Sequence, residues 1–398
     1  VKTYRHVLLA SGLTSVINGM LYPIMALYVY GISQDFFLVG VIIALPFLAA
    51  VPMSIVWGIV SDWIGSRRIV MVLAGTVGGI LFFGMPFVGS TGLIALRLVQ
   101  VSFVTSFVLL NAVATECFPK RKGMSVGNLA LMGAIGQAVG ALASGFLLKS
   151  SQMFVGSGAV TLVFWLAGII TVLGALSLLP MKERHKSRPA ISKNGILTFG
   201  DKRGVIAVSS VALLLPLAGY IVFSVFPIYL KGLDIPWDVT MVAGMFTALS
   251  AVTGIFASGL AGHACDRHGR RKVLIGAGAA YVLVWWGMGM TVDPIPTAIL
   301  WAIPVWSFFS VGAFTMVSDL TKPKERGRGI GLVNSAINMG AAIGSMLAGY
   351  LLAREMLDNI FFLAAAVAAI GLIATLFTRE TLVKRAVIRR PGIRLQTP

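Results

Sequence analysis

The sequence predicts an all-α membrane protein made of two similar halves of six helices each. Three observations lead there: the chain is apolar throughout, its apolar runs are one bilayer long, and one set of residues recurs at a fixed spacing. Of 398 residues, 57% are hydrophobic and 12% charged, and the mean hydropathy is +0.91. A soluble domain carries about 25% charged residues, so lipid rather than water is the expected solvent. In a bilayer core every backbone polar group must be satisfied internally, which leaves helices or a closed barrel. The runs are roughly 20 residues long and lack period-2 alternation, which selects helices.

In chain order the runs give twelve predicted spans, at 7–30, 37–60, 69–88, 92–115, 124–148, 154–180, 205–230, 239–262, 273–292, 295–318, 329–353 and 359–378. The first is too long for a signal-peptide core, and no small-residue cleavage site follows it before YPIMALYVYG. The expected organisation is a six-helix bundle over 1–180, a cytoplasmic linker over 181–204, a second bundle over 205–378 and a basic cytoplasmic tail over 379–398. No separate soluble domain is expected, because 181–204 is the longest polar stretch.

The net charge of +18 raises nucleic acid as a partner, and its distribution argues against one. With the N-terminus inside, 28 of the 32 Lys and Arg fall in cytoplasmic segments; Lys149, Lys231 and Arg354 fall outside, and Arg97 within a span. That bias fixes both termini on the cytoplasmic side. The basic clusters at 182–188 and 389–394 read as topology signals against anionic headgroups. Cys117 and Cys265 both end spans on the reducing side, where a disulfide is not expected, and two isolated cysteines make no metal site. His6, His185, His263 and His268 are cytoplasmic too, so no buried imidazole relay is available. No metal or cofactor is expected; the partners are the lipid bilayer of a plasma or bacterial inner membrane and a small-molecule substrate, with the chain working as a monomer.

The recurrence is clearest in GIVSDWIGSRR (58–68) and GHACDRHGRRK (262–272). An offset of 204 pairs Gly58 with Gly262, Asp62 with Asp266, Gly65 with Gly269 and Arg67 with Arg271. The same offset pairs Pro23 with Pro227, Pro119 with Pro323, Gly136 with Gly340, Gly140 with Gly344 and Gly145 with Gly349. The halves are therefore a duplication in one orientation. Gly58 lets a second helix approach. Asp62 ends its helix where the macrodipole disfavours a carboxylate, so it needs a cation or another helix N-terminus as partner. Gly65 permits the turn, and Arg67 and Arg68 supply cations.

Here the chain resembles the major facilitator superfamily of secondary transporters. The family's loop motif, G-x-x-x-D-x-x-G-R-[RK], is met by Gly262, Asp266, Gly269, Arg270 and Arg271. Gly58, Asp62, Gly65, Arg67 and Arg68 meet it with the first basic position displaced by Ser66. The resemblance implies that these loops latch the cytoplasmic side, each aspartate docking on the opposite half when the cavity opens outward. Glu116 and Asp319, at the inner ends of helices 4 and 10, are expected in the same charge network.

Arg97 is the one ionisable residue inside a predicted span, which makes it a candidate for the substrate cavity. Gln100 lies one turn along, and Asn111 is expected back on that face about four turns away; R-x-x-Q resembles a helix-4 motif of the family, with Val101 where a glycine follows. The repeat partner of Arg97 is Trp301, and helix 10 adds Trp306, Phe308 and Phe309. An aromatic wall opposite a lone arginine suits an amphipathic or anionic ligand. Polar stripes on helix 1 (Ser11, Ser15, Asn18, Tyr22) and helix 11 (Asn334, Asn338, Ser345) either line the cavity or bond neighbouring helices. Pro23 and Pro227 are expected to break helices 1 and 7 at matching places.

The resulting expectation is a transporter and not an enzyme, since the spans hold no buried nucleophile, base or ligand set. Export of a drug or metabolite by proton antiport is favoured on the doubled motif and YPIMALYV. Against it, no Asp or Glu lies in mid-span, and Gly136-Gln137 stands where antiporters of this superfamily have Gly-Pro. Proton coupling would fall to Asp35, Glu116, Asp319 or competition at Arg97. The alternative is uptake or facilitated passage of an organic anion held by Arg97.

Overall fold

The computed structural model describes residues 2–117, 122–148, 158–182, 201–233, 235–322 and 326–382, and all regular structure among them is helical. In chain order the apolar segments are α1 (Thr3–Ser33), α2 (Phe36–Ile64), α3 (Arg67–Phe87), α4 (Ser90–Cys117), α5 (Gly127–Leu147) and α6 (Val160–Leu176), then α7 (Lys202–Lys231), α8 (Val239–His268), α9 (Arg270–Gly289), α10 (Pro294–Leu320), α11 (Arg326–Leu352) and α12 (Ile360–Leu376). Ten are long and apolar enough to cross a membrane; α6 and α12 are shorter. Of the span predicted at 154–180, the described residues are helical over Gly158–Leu176. Its last turn tightens, Leu178 N–H bonding Ala175 O and Met181 N–H bonding Leu178 O, and 149–157 lies outside the described residues. Of the linker and tail, 183–200 and 383–398 also lie outside them.

Two helices run further than their apolar stretches. α2 continues to Ile64 and α8 to His268, against predicted ends at 60 and 262. Backbone bonding needs no apolar side chain once the helix reaches water, so most of each loop motif is the last turn of a helix. The connections that remain are Gly65–Ser66 and Gly269.

The same packing scheme appears twice. α1 lies along α5 and α3 along α6; six helices on, α7 lies along α11 and α9 along α12. Small residues bring the backbones together: a β-carbon on Gly140 would collide with Val16 O, and one on Gly344 with Leu217 O. The halves touch most extensively through two crossings, α2 on α11 and α5 on α8, and α1 adds lesser contacts to α7 and α8. Thr3 Oγ1 donates to Lys182 O (3.4 Å), which marks the near end of the bundle, where the described termini lie. The far end carries the α1–α2, α3–α4, α7–α8, α9–α10 and α11–α12 connections.

The matching prolines act differently. α1 runs unbroken through Pro23, whereas α7 stops at Phe223 and restarts at Phe226, with Pro227 in the first turn of the second piece. Only α7 has Ser224 at the break, its hydroxyl bonding Tyr220 O (2.7 Å) and Ser345 Oγ (2.8 Å), so the loosened turn is held by side chains.

Candidate functional site

At the far end the halves are pressed together. A β-carbon on Gly349 would lie 2.7 Å from Phe36 O and 2.8 Å from Gly40 Cα, and one on Gly145 would lie 3.1 Å from Met241 Cα. Gly244 closes the second crossing against Ala141 O and Gly145. The offset of 204 relates Gly40 to Gly244 and Gly145 to Gly349, so the two crossings are one contact made twice. Thr240 Oγ1, whose hydroxyl proton goes to the Asp238 carboxylate, lies 3.4 Å from Leu148 O across this crossing.

Further in, the break in α7 supplies an inter-half contact. Pro227 has no N–H, which frees the carbonyl four residues earlier, Phe223 O. Tyr22 Oη, from α1, donates to that oxygen at 2.9 Å, and the Tyr22 and Phe223 rings stack at 3.8 Å. Phe47 meets Tyr220 edge-on beside them, at 4.7 Å.

At the near end, the matching glycines lie free of contact among the described residues. A β-carbon on Gly58, Gly127, Gly262 or Gly331 would meet nothing within 4 Å. Gly65 holds the αL cap that ends α2 (φ 75°), bonding Ser61 O, and Ser66 Oγ caps α3 at Ile69 N. Arg67 Nη1 reaches Glu116 Oε1 (2.5 Å), joining α3 to α4, and Arg68 bonds Met181 O and Leu179 O beyond α6. In the other half Arg270 Nε lies 3.0 Å from Asp319 Oδ2, an electrostatic contact rather than a linear hydrogen bond, and its Nη2 lies 3.4 Å from Asp266 Oδ1. Arg271 Nη2 bonds Leu376 O (2.9 Å). Each of these ion pairs stays within one half. Among the described residues Asp62 has no hydrogen-bond or ion-pair partner.

One member of this network escaped sequence reasoning. Glu380 accepts from the backbone N–H of Arg270 (3.0 Å) and Arg271 (3.3 Å), capping α9 from beyond α12. It also accepts from Thr381 N and Leu382 N, and Thr381 Oγ1 reaches Asp319 Oδ2 (3.0 Å). The repeat held the signal: the position matching the cap Ser66 is Arg270, which cannot accept, so a remote carboxylate takes its place. Gly269 (φ 100°) is required twice, by its backbone angle and because a β-carbon would strike the Glu380 carboxylate.

The predicted cavity residues separate into two groups. Arg97 and Gln100 are buried, with Arg97 Nη1 bonded to Gln100 Oε1 at 2.6 Å, Phe82 6.0 Å from the guanidinium, and no partner at Nε. Asn18, Asn111 and Asn334 are exposed at membrane depth; Asn338 is half-buried and bonds Asn334 O. Asn111 is exposed whereas Arg97 is buried, and a 3₁₀ stretch, Thr105–Val108, lies between them. Trp301 lies in the apolar core of the second half, stacked on Phe226 at 3.6 Å and 5.9 Å from Phe223. Its neighbours are the large rings that fill the gap left at the α7 break. Asp35 Oδ1 caps α2 at Phe37 N and Leu38 N.

Comparison with known proteins adds the following. The model of the Major Facilitator Superfamily matches residues 7–263 and 237–396. A multidrug resistance protein 1 of Bacillus subtilis (strain 168) is 30% identical over 139 residues, 34% of this chain and 35% of that protein, so the match spans about a third of its length. A homolog of the multi-drug resistance efflux pump PmrA from Lactococcus lactis subsp. lactis (strain IL1403) is 23% identical over 361 residues, 84% of this chain and 85% of that one. Among solved structures, the nucleoside transporter NupG superposes with a TM-score of 0.76 at 15% identity, covering 94% of this chain and 98% of that one. A D-xylose-proton symporter gives 0.75 at 16% identity, covering 96% and 97%.

Proposed function

The chain belongs to the Major Facilitator Superfamily and is a multi-pass membrane transporter, not an enzyme; on that premise we propose that it exports small amphipathic organic molecules by alternating access, driven by proton antiport. The observation that carries the reading is the one-sided closure. Two symmetric crossings and the Tyr22–Phe223 contact hold the far end together, while the near-end pairs Arg67–Glu116 and Arg270–Asp319 each join helices of one half. A cavity between the halves then opens at the near end. We take that end as cytoplasmic, with twelve crossings, because 28 of 32 basic residues belong to that side. Asn18, Asn111 and Asn334 belong to the cavity wall, since polar side chains facing lipid at that depth would be costly. Relatives named as multidrug resistance and efflux proteins support the direction and the substrate class.

A second reading, uptake or facilitated passage of an organic anion, is favoured by one feature. Arg97 is buried beside a neutral glutamine, and its Nε has no partner among the described residues. Reconstitution into liposomes with an imposed pH gradient tests both readings, using ethidium and carboxyfluorescein as probes. Gradient-dependent extrusion of ethidium supports export; gradient-independent movement of carboxyfluorescein alone supports the second reading. Arg97→Gln should slow whichever flux is found by roughly tenfold or more, since hydrogen bonds to a charged group contribute about 1.5–3 kcal/mol. An unchanged flux would remove Arg97 from the site.

A further inference from the structure

We propose that a groove on the outer flank of the second half, between α8, α9 and α10, is a binding site for an anionic phospholipid. The groove has a volume of about 540 Å³. Its near-end mouth carries His268, the last residue of α8, and Lys272, in the first turn of α9; its floor is Val273, Gly276, Ala277 and Ala280, and Ile303 and Phe308 of α10 wall it. α9 packs on α8, α10 and α12 of its own half, so the groove faces away from the junction of the halves and toward lipid.

Shape and charge agree on the occupant. From Lys272 the floor descends eight residues to Ala280, about 12 Å along the helix, which accommodates much of an acyl chain. Gly276 is exposed, and a β-carbon there would meet nothing within 4 Å, so the floor is open at its midpoint, between the buried Val273 and Ala277. At the mouth, Lys272 and His268 are exposed and make no hydrogen bond or ion pair among the described residues. The nearby acids are engaged elsewhere: Glu380 on four backbone N–H groups, Asp266 and Asp319 on Arg270. The positive charge at the mouth is therefore uncompensated. A basic pocket between membrane helices at the interface suits a phosphate headgroup.

Native mass spectrometry of the purified, delipidated protein tests this, with dioleoylphosphatidylglycerol and dioleoylphosphatidylcholine as probes. One phosphatidylglycerol should be retained in preference to phosphatidylcholine. Lys272→Gln should lower that preference about fivefold, the factor for about 1 kcal/mol per basic residue near a membrane surface. Gly276→Leu, which fills the floor without changing charge, should lower retention of both lipids alike. Lys322→Gln, an exposed lysine outside the groove, should leave the preference intact. The proposal is overturned if Lys272→Gln keeps the wild-type preference, if Lys322→Gln reduces it equally, if Gly276→Leu changes nothing, or if the protein retains a second copy of itself instead of lipid.

Discussion

At Tyr22 one hydroxyl decides how a proline is tolerated. The Pro227 ring leaves Phe223 O without its helical donor, and the phenol of the opposite half supplies one at 2.9 Å. Tyr22→Phe keeps the ring stack and removes only that bond, leaving a part-buried carbonyl unsatisfied at a cost of about 1–3 kcal/mol. The cost falls on the far-end-closed arrangement alone, so the variant should populate the opposite arrangement more. Spin labels at the exposed positions Phe37 and Arg354 would report a longer far-end distance; an unchanged distribution would mean that the bond does not hold the gate. The sequence placed Tyr22 on a polar stripe of α1 and Pro227 in α7, yet nothing local links two residues 205 positions apart. Arg97 was legible for the opposite reason, because a charge in an apolar run is conspicuous wherever its partner lies.

Along the helices, glycines mark both ends of the contact. Gly40 and Gly58 are 18 residues apart on α2, as are Gly244 and Gly262 on α8, Gly127 and Gly145 on α5, and Gly331 and Gly349 on α11. Eighteen residues are five turns, so each pair lies on one helix face, about 27 Å apart. In this structure the far-end member of each pair is in contact and the near-end member is free. Opposite consequences follow for substitutions on the same face. Gly40→Val with Gly244→Val must push the far end apart, at about 1–3 kcal/mol per overpacked site. Gly58→Val with Gly262→Val has room here and clashes only when the near end closes, so it should lock the present arrangement. Both double variants should lose transport. A thiol introduced at Asn18 should react faster with a far-side impermeant reagent in the first and no faster than wild type in the second. Equal reactivity in the two would rule out the glycines as the paired contacts. This logic was written in the spacing, but which end is closed is a balance between two packings of one sequence, and local pattern carries no sign of it.

For the whole molecule, the duplication predicted the shared scaffold well and its departures poorly. The offset of 204 identified the matching loop motifs, and the helix pairings and crossings repeat with it. It missed what each half does differently with equivalent positions: an unbroken α1 against a broken α7, Glu380 in place of Ser66 as the cap of the third helix, and the core packing of Trp301, which the offset had already set against Arg97. Those differences depend on partners brought from another element, and only for the cap does the repeat give a sign, with Arg270 standing where Ser66 does. The near-end aspartates belong to the shared scaffold, and they give the molecule its two-state test. Asp62 is exposed and without a partner among the described residues, so Asp62→Asn should change the stability of this arrangement little. If the carboxylate docks on the other half when the near end closes, the loss falls on that state alone. The population then moves toward the present one by about 1–2 kcal/mol, within the usual range of coupling energies. Distances between labels at exposed Trp63 of α2 and Lys322 before α11 should lengthen on average in Asp62→Asn, with far-end distances shortening in step. Asp266→Asn also loses its contact with Arg270 in this arrangement, so its shift should be smaller. Equal near-end distributions in wild type and Asp62→Asn would show that the aspartate is only a solvated helix end, and that closure rests on the glycine faces.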